Sequence, residues 1–345
     1  MTEPVTLDDF EALARERLPH MTYEFIAGGA ADEVTLRWNR EAFERIVLRP
    51  RVLEDISRID TATRILDESL TFPILLAPVA YQRLMHPDGE IEAGRGAASA
   101  GAIYVMSTAS TCAIEDVAAT GARIWMQIYL QGDRGVTRDL VQRAERAGTR
   151  ALCLTVDTPV LGTRNRQKRA GFAIPPDLPT PHLDAIGRSR LSVVSATREP
   201  ITWRDVDWLR SQTKLPLLLK GILDPEDARL AMEHGAAGLI VSNHGGRNLD
   251  TVPATIDALP AIADAIAGRC PILLDGGIRR GTDIVKAIAL GAAAVLIGRP
   301  YAFALAVAGA AGVQQAIAIL REELETAMAL LGRRSISAID RSVIR

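Results

Sequence analysis

The sequence predicts a closed (β/α)8 barrel, an α/β fold in which parallel strands alternate with helices. Eight short apolar runs alternate with helical stretches from Pro73 to about Leu331. Near-continuous apolar strands between helices are typical of parallel βαβ units, whose sheet is covered on both faces. Eight such units in succession favour a closed barrel over an open, doubly wound sheet.

The strands and helices of the barrel follow one another in a regular order. We predict strands at 73–78, 103–106, 124–129, 151–156, 215–219, 238–241, 271–274 and 293–297. Helices are predicted at 88–101, from 114, at 136–147, 225–234, 254–267 and 282–290, and then to about 331. We interpret residues 1–345 as one domain, in which residues 71–331 form the barrel.

The first 70 residues are predicted to form a helical cap rather than a separate core. Residues 7–18 read as an amphipathic helix, with Thr6 as its N-cap and Asp8 and Asp9 in its first turn. A second short helix is expected at 21–27, before the break at Gly28 and Gly29. The remainder, to about residue 70, is charged and loop-rich.

The connection after the fourth barrel strand, residues 158–202, is predicted to be an active-site loop. It holds five prolines between Pro175 and Pro200, and a basic patch at 164–169. An irregular loop of this length is usually functional or disordered. It contains no sustained apolar stretch, so it does not resemble a membrane-docking insertion.

Composition excludes some functional classes. The formal net charge of -2 gives no reason to expect nucleic acid or an anionic membrane as partner. The cysteines Cys112, Cys153 and Cys270 show no metal-ligand spacing, so we expect no metal site and a reducing compartment. No secretory signal, Ser-Lys-Leu ending or apolar run near the roughly 18 residues that span a bilayer is visible. We therefore expect a soluble, cytoplasmic protein.

Polar or glycine residues end the later barrel strands. The catalytic and ligand-binding residues of such barrels lie at the carboxyl ends of the strands, so these endings together predict a functional site there. They are Gln127 and Tyr129 after the third strand, Thr155 and Asp157 after the fourth, Lys220 after the fifth, Ser242 and His244 after the sixth, Asp275, Gly276 and Gly277 after the seventh, and Gly298 and Arg299 after the eighth.

The last two of these endings predict a phosphate site. The segments 275–279 and 298–300 supply small residues, backbone N–H groups and the guanidinium groups of Arg279 and Arg299. Barrels commonly bind phosphate with the loops after strands seven and eight. Each glycine pair alone could be an ordinary tight turn, but both loops and both arginines together favour a ligand that carries phosphate.

The sequence pattern alone allows two interpretations of each of four charged or titratable residues. His244 and Arg247 could be a satisfied loop histidine beside a solvated arginine, or a base beside a fixed cation. Lys220 could reach solvent past the barrel rim, or stabilise negative charge on an electron-accepting ring. Asp157 could be a solvated rim carboxylate, or could hold His244 and favour its protonated form.

Several motifs together resemble those of the FMN-dependent 2-hydroxy-acid oxidase and dehydrogenase family. They are SNHGGRNLD, DGGIRRGTD, IGRP, LTVDTP, QIY and LAPVA, and the similarity runs from MTYEFIAGGA to the C-terminal helices. The family includes glycolate oxidase, lactate oxidase, mandelate dehydrogenase and hydroxymandelate oxidase. The resemblance implies a barrel that binds FMN.

The resemblance also implies a role for individual residues. His244 matches the family base and Asp157 its carboxylate partner, while Arg247 and Tyr23 match the groups that bind the substrate carboxylate. Tyr129 matches a hydroxyl near the substrate oxygen, and Arg164 matches a second arginine in the active-site loop.

The remaining matches concern the cofactor. Lys220 matches the cation beside flavin N1 and O2. The flavin-ring contacts are matched by Ala77, Pro78, Val79, Ala80, Ser107, Gln127 and Thr155, and the ribityl and phosphate site by Asp275, Gly277, Arg279, Gly298 and Arg299. We add Ser242 and Gly276, from the same strand ends, to the predicted cofactor site.

Ala109 carries the information about the substrate. Alanine there resembles the lactate- and mandelate-oxidising members and leaves room beside the α-carbon, where glycolate oxidase has a tryptophan. The expected reaction is oxidation of an L-2-hydroxy acid to the 2-oxo acid, with O2 reduced to H2O2. The alternatives are a dehydrogenase with a quinone or other acceptor, a monooxygenase, a flavin-dependent isomerase and a non-catalytic flavin-binding barrel. The resemblance further implies a homotetramer or octamer.

Overall fold

Eight parallel strands close into a barrel in the computed structural model, which describes residues 3–183 and 201–345. A two-stranded hairpin, β1 (Thr63–Ile65) and β2 (Glu68–Leu70), precedes the barrel strands β3 (Ile74–Leu76), β4 (Ile103–Met106), β5 (Arg123–Ile128), β6 (Leu152–Thr155), β7 (Leu217–Ile222), β8 (Gly238–Val241), β9 (Ile272–Leu274) and β10 (Ala294–Ile297). Each strand from β3 to β9 pairs with the next, and β10 pairs with both β9 and β3. The predicted closed barrel is confirmed.

Successive residues of each barrel strand enter two different apolar clusters. Trp125, Cys153 and Leu218 pack together inside the barrel, whereas their neighbours Met126 and Leu154 pack against the surrounding helices. All of these side chains are buried because both faces of the sheet are covered. This two-sided burial explains why the strands read as continuous apolar runs.

The β1–β2 hairpin closes the interior of the barrel and was not predicted. Its strands pair antiparallel, and Ile65 and Leu70 join the cluster inside the barrel. The carboxylate of Glu68 accepts a hydrogen bond of 2.7 Å from the indole Nε1 of the buried Trp125. Strands of three residues are too short to show an alternating pattern, so the sequence reads as a charged loop there.

Helices pack around the barrel and over its cap region. They are α1 (Leu7–Arg17), α2 (His20–Ala27), α3 (Val34–Arg45), α4 (Gly89–Ala100), α5 (Ile114–Ala118), α6 (Arg134–Arg146), α7 (Asn165–Arg169), α8 (Trp203–Ser211), α9 (Pro225–Glu233), α10 (Thr255–Ile266), α11 (Gly281–Ala289) and α12 (Arg299–Leu330). The predicted N-cap of α1 is confirmed, since the Thr6 hydroxyl accepts from the Asp9 N–H and the Asp9 carboxylate accepts from the Thr6 N–H. Helix α3 lies in the stretch that the sequence predicts to be loop-rich, because it buries polar Thr35 and Asn39, which interrupt an apolar pattern.

Helix α12 alone, among the described residues, is long and apolar enough to cross a membrane by length and composition. It exceeds the apolar length that we expected anywhere in the chain. Half of its most apolar window is buried inside the protein, and its backbone leaves helical geometry at Ala308 and Gly309. It packs against α1, α4 and α11, as a helix in the core of a protein does.

The first part of the loop after β6 packs on the cap. The Ala31 N–H donates to the Thr163 carbonyl at 2.7 Å, and the Arg166 guanidinium pairs with Glu24 and lies 3.4 Å from Glu33. Helix α7 lies within this segment, and residues 184–200 of the predicted 158–202 loop lie outside the described residues. These contacts hold the loop beside the carboxyl ends of the strands.

Candidate active site

A cavity opens at the carboxyl ends of the barrel strands, and most of the predicted site residues line it. Those that line it are Ala77, Pro78, Val79, Ala80, Ser107, Ala109, Gln127, Tyr129, Thr155, Arg164, Lys220, His244, Arg247, Asp275, Gly276, Gly277, Arg279, Gly298 and Arg299. Asp157 and Ser242 lie behind this wall and contact residues that line it, whereas Tyr23 does neither. The strand ends therefore converge on one site, as the sequence predicted.

His244 is held by a carboxylate that is largely buried. Its Nδ1 lies 3.0 Å from Oδ1 of Asp157, and its backbone N–H donates to the Ser242 hydroxyl at 3.0 Å. The backbone of His244 is left-handed, with φ 58°, which is an uncommon conformation for a residue with a side chain. Gly221 leaves room for the carboxylate, since a Cβ there would lie 2.5 Å from the Asp157 Cβ. The reading of Asp157 as a solvated rim residue is wrong.

Electrostatics keep the His244 imidazole neutral near pH 7. Burial and the nearby Lys220 and Arg164 cations lower its pKa below 6.5, although Asp157 acts in the opposite direction. Burial opposes ionisation of Asp157, but His244, the Lys220 cation and a neighbouring hydroxyl together outweigh burial, so the pKa of that carboxyl lies below its usual value. With Nδ1–H donating to Asp157, Nε2 is left as an acceptor. It lies 3.4 Å from the Tyr129 hydroxyl, whose pKa burial raises to about 12.

Two guanidinium groups lie beside this pair. Arg247 donates to the carbonyls of Phe25 at 2.8 Å and Gly28 at 2.7 Å, and Arg164 donates to the Arg247 carbonyl at 3.3 Å. Burial lowers the pKa of both side chains, and for Arg247 the neighbouring Arg164 cation lowers it further. Neither makes an ion pair with a carboxylate among the described residues. Two partly buried cations without a counter-ion favour binding of an anion.

Tyr23 is not brought to this cavity. Its ring stacks on Phe303 and its hydroxyl lies 3.4 Å from Glu11, outside the lining residues. Phe25, two residues later on α2, lines the cavity instead, with the Arg247 guanidinium 5.3 Å from its ring centroid. A carboxylate here would be bound by arginines without a hydroxyl from α2, so we leave Tyr23 out of the site.

Lys220 points into the barrel mouth rather than past it. Its Nζ donates to the Ser242 hydroxyl at 2.8 Å and lies 3.1 Å from Oδ2 of Asp275. Burial opposes its charge, but the carboxylates of Asp275 and Asp157 outweigh burial and raise its pKa. The reading of Lys220 as a solvent-reaching rim residue is therefore wrong. The buried Oδ1 of Asp275 has no hydrogen-bond partner among the described residues, so it is an acceptor available to a ligand.

A second part of the cavity is also cationic. Arg279 and Arg299 both line it, and burial together with nearby arginines lowers the pKa of each to about 10. Arg299 is also the first residue of α12, whose N-terminus adds the positive end of a helix dipole. Gly277 permits close packing here, since a Cβ would lie 2.0 Å from the Asn39 carbonyl oxygen. A phosphate group fits this arrangement.

Buried polar side chains form another part of the cavity lining. The side-chain Nε2 of Gln127 donates to Thr155 at 2.9 Å, and its Oε1 accepts from Ser107 at 3.3 Å. These buried side chains, the free acceptor of Asp275 and the Lys220 cation fit the polar edge of a flavin, and the arginines fit its phosphate. The residues present therefore fit FMN.

Sequence reasoning missed several residues that line the cavity. They are Phe25, Ile26, Tyr81, Leu161, Gln167, Phe172, Ile174, Gly245, Ile278, Leu296, Ile297, Pro300 and Ala302. Most are apolar and carry no chemical signal, although some lie next to predicted residues in the chain. Phe172 lies in the predicted loop, and its ring stacks on that of Phe25 with the centroids 4.4 Å apart.

Comparison with known proteins gives consistent results. The protein-family model described as FMN-dependent dehydrogenase matches residues 14–345 of the chain. An L-lactate oxidase from Nostoc sp. is 48% identical and aligns over 100% of this chain and 99% of its own. A glycolate oxidase from Spinacia oleracea is 47% identical, over 99% and 96% of the two chains. A solved mandelate oxidase superposes with a TM-score of 0.93 at 44% identity, over 99% and 98% of the two chains.

These matches extend over nearly the whole length of every chain compared, and they confirm the resemblance that the motifs carry. They also agree with the site, where cations, a histidine and a polar wall surround a cavity that fits FMN. The chain belongs to the FMN-dependent dehydrogenase family and is an FMN-dependent 2-hydroxy-acid oxidase.

Proposed function

We propose that the substrate is an L-2-hydroxy acid with an apolar side chain, lactate-like or mandelate-like rather than glycolate. The product is the 2-oxo acid, and O2 is reduced to H2O2. The observation that carries this proposal is the juxtaposition of the His244–Asp157 pair with Arg164 and Arg247 in one cavity. A base beside a pair of cations is suited to an anion that must lose a proton.

Each residue of the site has a defined task in this reaction. Arg247 and Arg164 bind and orient the substrate carboxylate, which fixes the α-carbon relative to the base. Neutral His244 takes a proton at Nε2, and Asp157 stabilises the imidazolium that forms. The Tyr129 hydroxyl, 3.4 Å from Nε2, hydrogen-bonds the substrate oxygen.

FMN, when bound, would supply the two-electron acceptor for the substrate and the electron donor for O2. Lys220, held against Asp275, places a fixed positive charge on the wall where electron density increases. The Lys220 ammonium is positioned before the reaction by its bond to Ser242, so little reorganisation is required.

The apolar part of the cavity supports a substrate with a side chain. Ala109 lines it and leaves space that a larger residue would fill, and the Tyr81 N–H donates to the Ala109 carbonyl at 3.0 Å. Phe25 and Phe172 add a stacked aromatic pair beside Arg247. Burying an aryl or methyl group on this wall contributes binding energy that glycolate lacks.

A panel of hydroxy acids tests the proposal. Anaerobic mixing of the FMN-loaded protein with glycolate, with both enantiomers of lactate and with both enantiomers of mandelate should bleach the flavin band only for L-lactate or (S)-mandelate. Repeating the reaction in air should give one equivalent each of oxo acid and H2O2. Bleaching without peroxide would favour a dehydrogenase, and a decarboxylated acid without peroxide would favour a monooxygenase. A flavin band that no acid bleaches would refute oxidation of hydroxy acids.

A further inference from the structure

A buried polar network lies directly beneath the segment Ala77–Ala80, whose four residues all line the cavity. The network joins Gln82, Tyr104 and Tyr301, and none of the reaction steps above uses it. All three side chains are buried, at 0% exposure, so each hydrogen bond within the network replaces one that water would otherwise make. A fully buried polar cluster of this kind is costly unless its geometry is maintained.

Tyr301 is the member that contacts the cavity wall. Its hydroxyl donates to the Ala77 carbonyl at 2.9 Å and accepts from Nε2 of Gln82 at 3.0 Å. Gln82 also donates to the Tyr104 hydroxyl at 2.8 Å and lies 3.2 Å from the Val79 carbonyl. Two carbonyls of the segment Ala77–Ala80, here called the wall segment, are therefore held by side chains that do not line the cavity.

The network is itself anchored on the far side of the segment. The backbone N–H of Gln82 donates to Oε1 of Glu90 at 3.1 Å, and the Thr111 N–H donates to the same oxygen at 2.9 Å. Glu90 lies in the first turn of α4 and is buried, so it forms a fixed support. The preceding residue, Tyr81, is left-handed with φ 59°, so the chain turns sharply there and depends on these bonds for its direction.

Tyr301 is also close in the chain to a cationic residue of the cavity. It lies two residues after Arg299, so both belong to the first turn of α12. Arg299 belongs to the cationic part of the cavity, and Tyr301 holds the wall segment beside β3. The first turn of α12 therefore carries both a cation of the cavity and the side chain that holds the Ala77 carbonyl.

We propose that Tyr301 is a positioning residue for FMN, which acts by holding the Ala77 carbonyl and so fixing the wall segment against the flavin ring. The proposal rests on FMN as the cofactor and is independent of the identity of the hydroxy acid. Because Tyr301 is shielded by the wall segment, it acts through Ala77 and not by direct contact with substrate.

Tyr301→Phe tests the proposal, with Tyr104→Phe as the matched control. Each variant removes one buried hydroxyl from the same cluster, but only the Tyr301 hydroxyl bonds the wall. We expect the dissociation constant of FMN to rise roughly fivefold in Tyr301→Phe, as loss of one hydrogen bond implies, and to stay within about twofold in Tyr104→Phe. The visible spectrum and the reduction potential of bound FMN should shift in the first variant alone.

Kinetics give a second readout that a purely structural role would not change. Tyr301→Phe should lower the maximum rate of flavin reduction while the KM for hydroxy acid stays within about twofold, because the arginines are untouched. Equal effects of both variants on FMN affinity and spectrum would overturn the proposal. Should Tyr301→Phe not fold, Gln82→Met removes the donor to both tyrosine hydroxyls and to the Val79 carbonyl but keeps the backbone bond to Glu90. Because the bond from Tyr301 to Ala77 remains, smaller shifts in the same direction are expected.

Measurements on the wild-type protein distinguish the proposed role of Tyr301 from the proposed oxidation of hydroxy acids. Failure of wild type to bind FMN would contradict the cofactor on which both depend. Normal FMN binding with no bleaching by any hydroxy acid would refute the proposed reaction and leave the role of Tyr301 to be decided by affinity and spectrum. Normal bleaching with indistinguishable variants would refute only the role of Tyr301.

Discussion

Nδ1 of His244 lies 3.0 Å from Oδ1 of Asp157, although the two residues end different strands, β8 and β6. The second carboxylate oxygen, Oδ2, is buried and has no partner among the described residues. The main polar contacts of the Asp157 carboxylate are therefore with the His244 imidazole and with the Thr158 hydroxyl, which donates to Oδ1 at 3.0 Å. A buried carboxylate in this position selects the tautomer of His244 that leaves Nε2 free to accept a proton.

Replacing the base should separate cofactor binding from chemistry. We expect His244→Ala to bind FMN as wild type does, since Arg279, Arg299 and the Lys220–Asp275 pair are unchanged. Its rate of anaerobic flavin reduction by substrate should fall by about 10²–10⁴, the usual contribution of a general base. Stopped-flow absorbance measures both quantities, and rapid reduction of this variant would contradict the assignment of the base.

The pH dependence of flavin reduction should report the same residue. Burial and the cations Lys220 and Arg164 lower the pKa of His244, so the neutral base should predominate above pH 6.5. The value of kcat/KM should therefore rise with pH, with its inflection below 6.5, and level off at higher pH.

Asp157→Asn should change this profile in a defined direction. The carboxylate raises the pKa of His244, so its removal should move the inflection to lower pH. The plateau should also fall by about 10²–10⁴, because an amide neither selects the tautomer nor stabilises the imidazolium as well. An inflection that moves to higher pH would contradict the pairing of these residues.

Arg164→Met should weaken substrate binding selectively. Arg164 makes one hydrogen bond to the Arg247 carbonyl, so its loss should disturb the fold little. The KM for hydroxy acid should rise roughly ten- to hundredfold, because a charge-assisted carboxylate contact is lost, and FMN affinity should be unchanged. Lys168→Met removes an exposed cation four residues away and provides the control. Equal KM values for both variants would show that Arg164 does not touch the carboxylate.

Ala109→Leu should narrow the range of substrates. Ala109 is buried, at 4% exposure, and lines the cavity, so three added carbon atoms occupy space intended for the side chain of the substrate. We expect kcat/KM for mandelate to fall at least about tenfold, while that for glycolate stays within about threefold. An unchanged ratio between the two acids would place the substrate side chain elsewhere.

His182 should make the stability of the protein sensitive to mild acid. Burial lowers the pKa of this histidine to about 4, and its Nε2 accepts from the Ile114 N–H at the start of α5. The unfolded chain therefore binds the proton first as the pH falls below 6.5, so the stabilisation is complete above 6.5 and is lost progressively towards pH 4.

The loss should amount to about 2 kcal/mol in the free energy of unfolding between about pH 7 and about pH 5. Urea titrations of wild type and His182→Gln at both pH values measure it, because glutamine can accept the same bond without titrating in this range. The difference between the two proteins isolates His182 from carboxylates that both share. An equal loss in both would show that His182 does not carry the effect.

The fold and most of the site could be predicted from the sequence for local reasons. Apolar runs of strand length, alternating with helices, predicted the barrel because each βαβ unit is stabilised mainly by contacts that its own pattern encodes. Parallel strands bring their carboxyl ends to one face, so residues such as Lys220 and His244 could be placed together without knowledge of any contact.

Other features depended on packing between distant segments. The clearest example is which of the two aromatic residues of α2, Tyr23 or Phe25, lines the cavity. The two residues are two positions apart on the helix, so their rings lie on different faces of it. Which face meets the cavity depends on the rotation of α2, and that is set by the stacking of Tyr23 on Phe303 and by the bond from Arg247 to the Phe25 carbonyl. The sequence shows two aromatic residues there but cannot show those contacts.

The sequence alone therefore determined the order of strands and helices, the cofactor class and the residues that end each strand, because these follow from local periodicity and short motifs. Tertiary structure decided that Asp157 faces His244, that Lys220 turns inward to Asp275, and that Phe25 rather than Tyr23 lines the cavity. Each of these joins segments far apart in the chain, and side-chain direction there depends on the packing of whole elements.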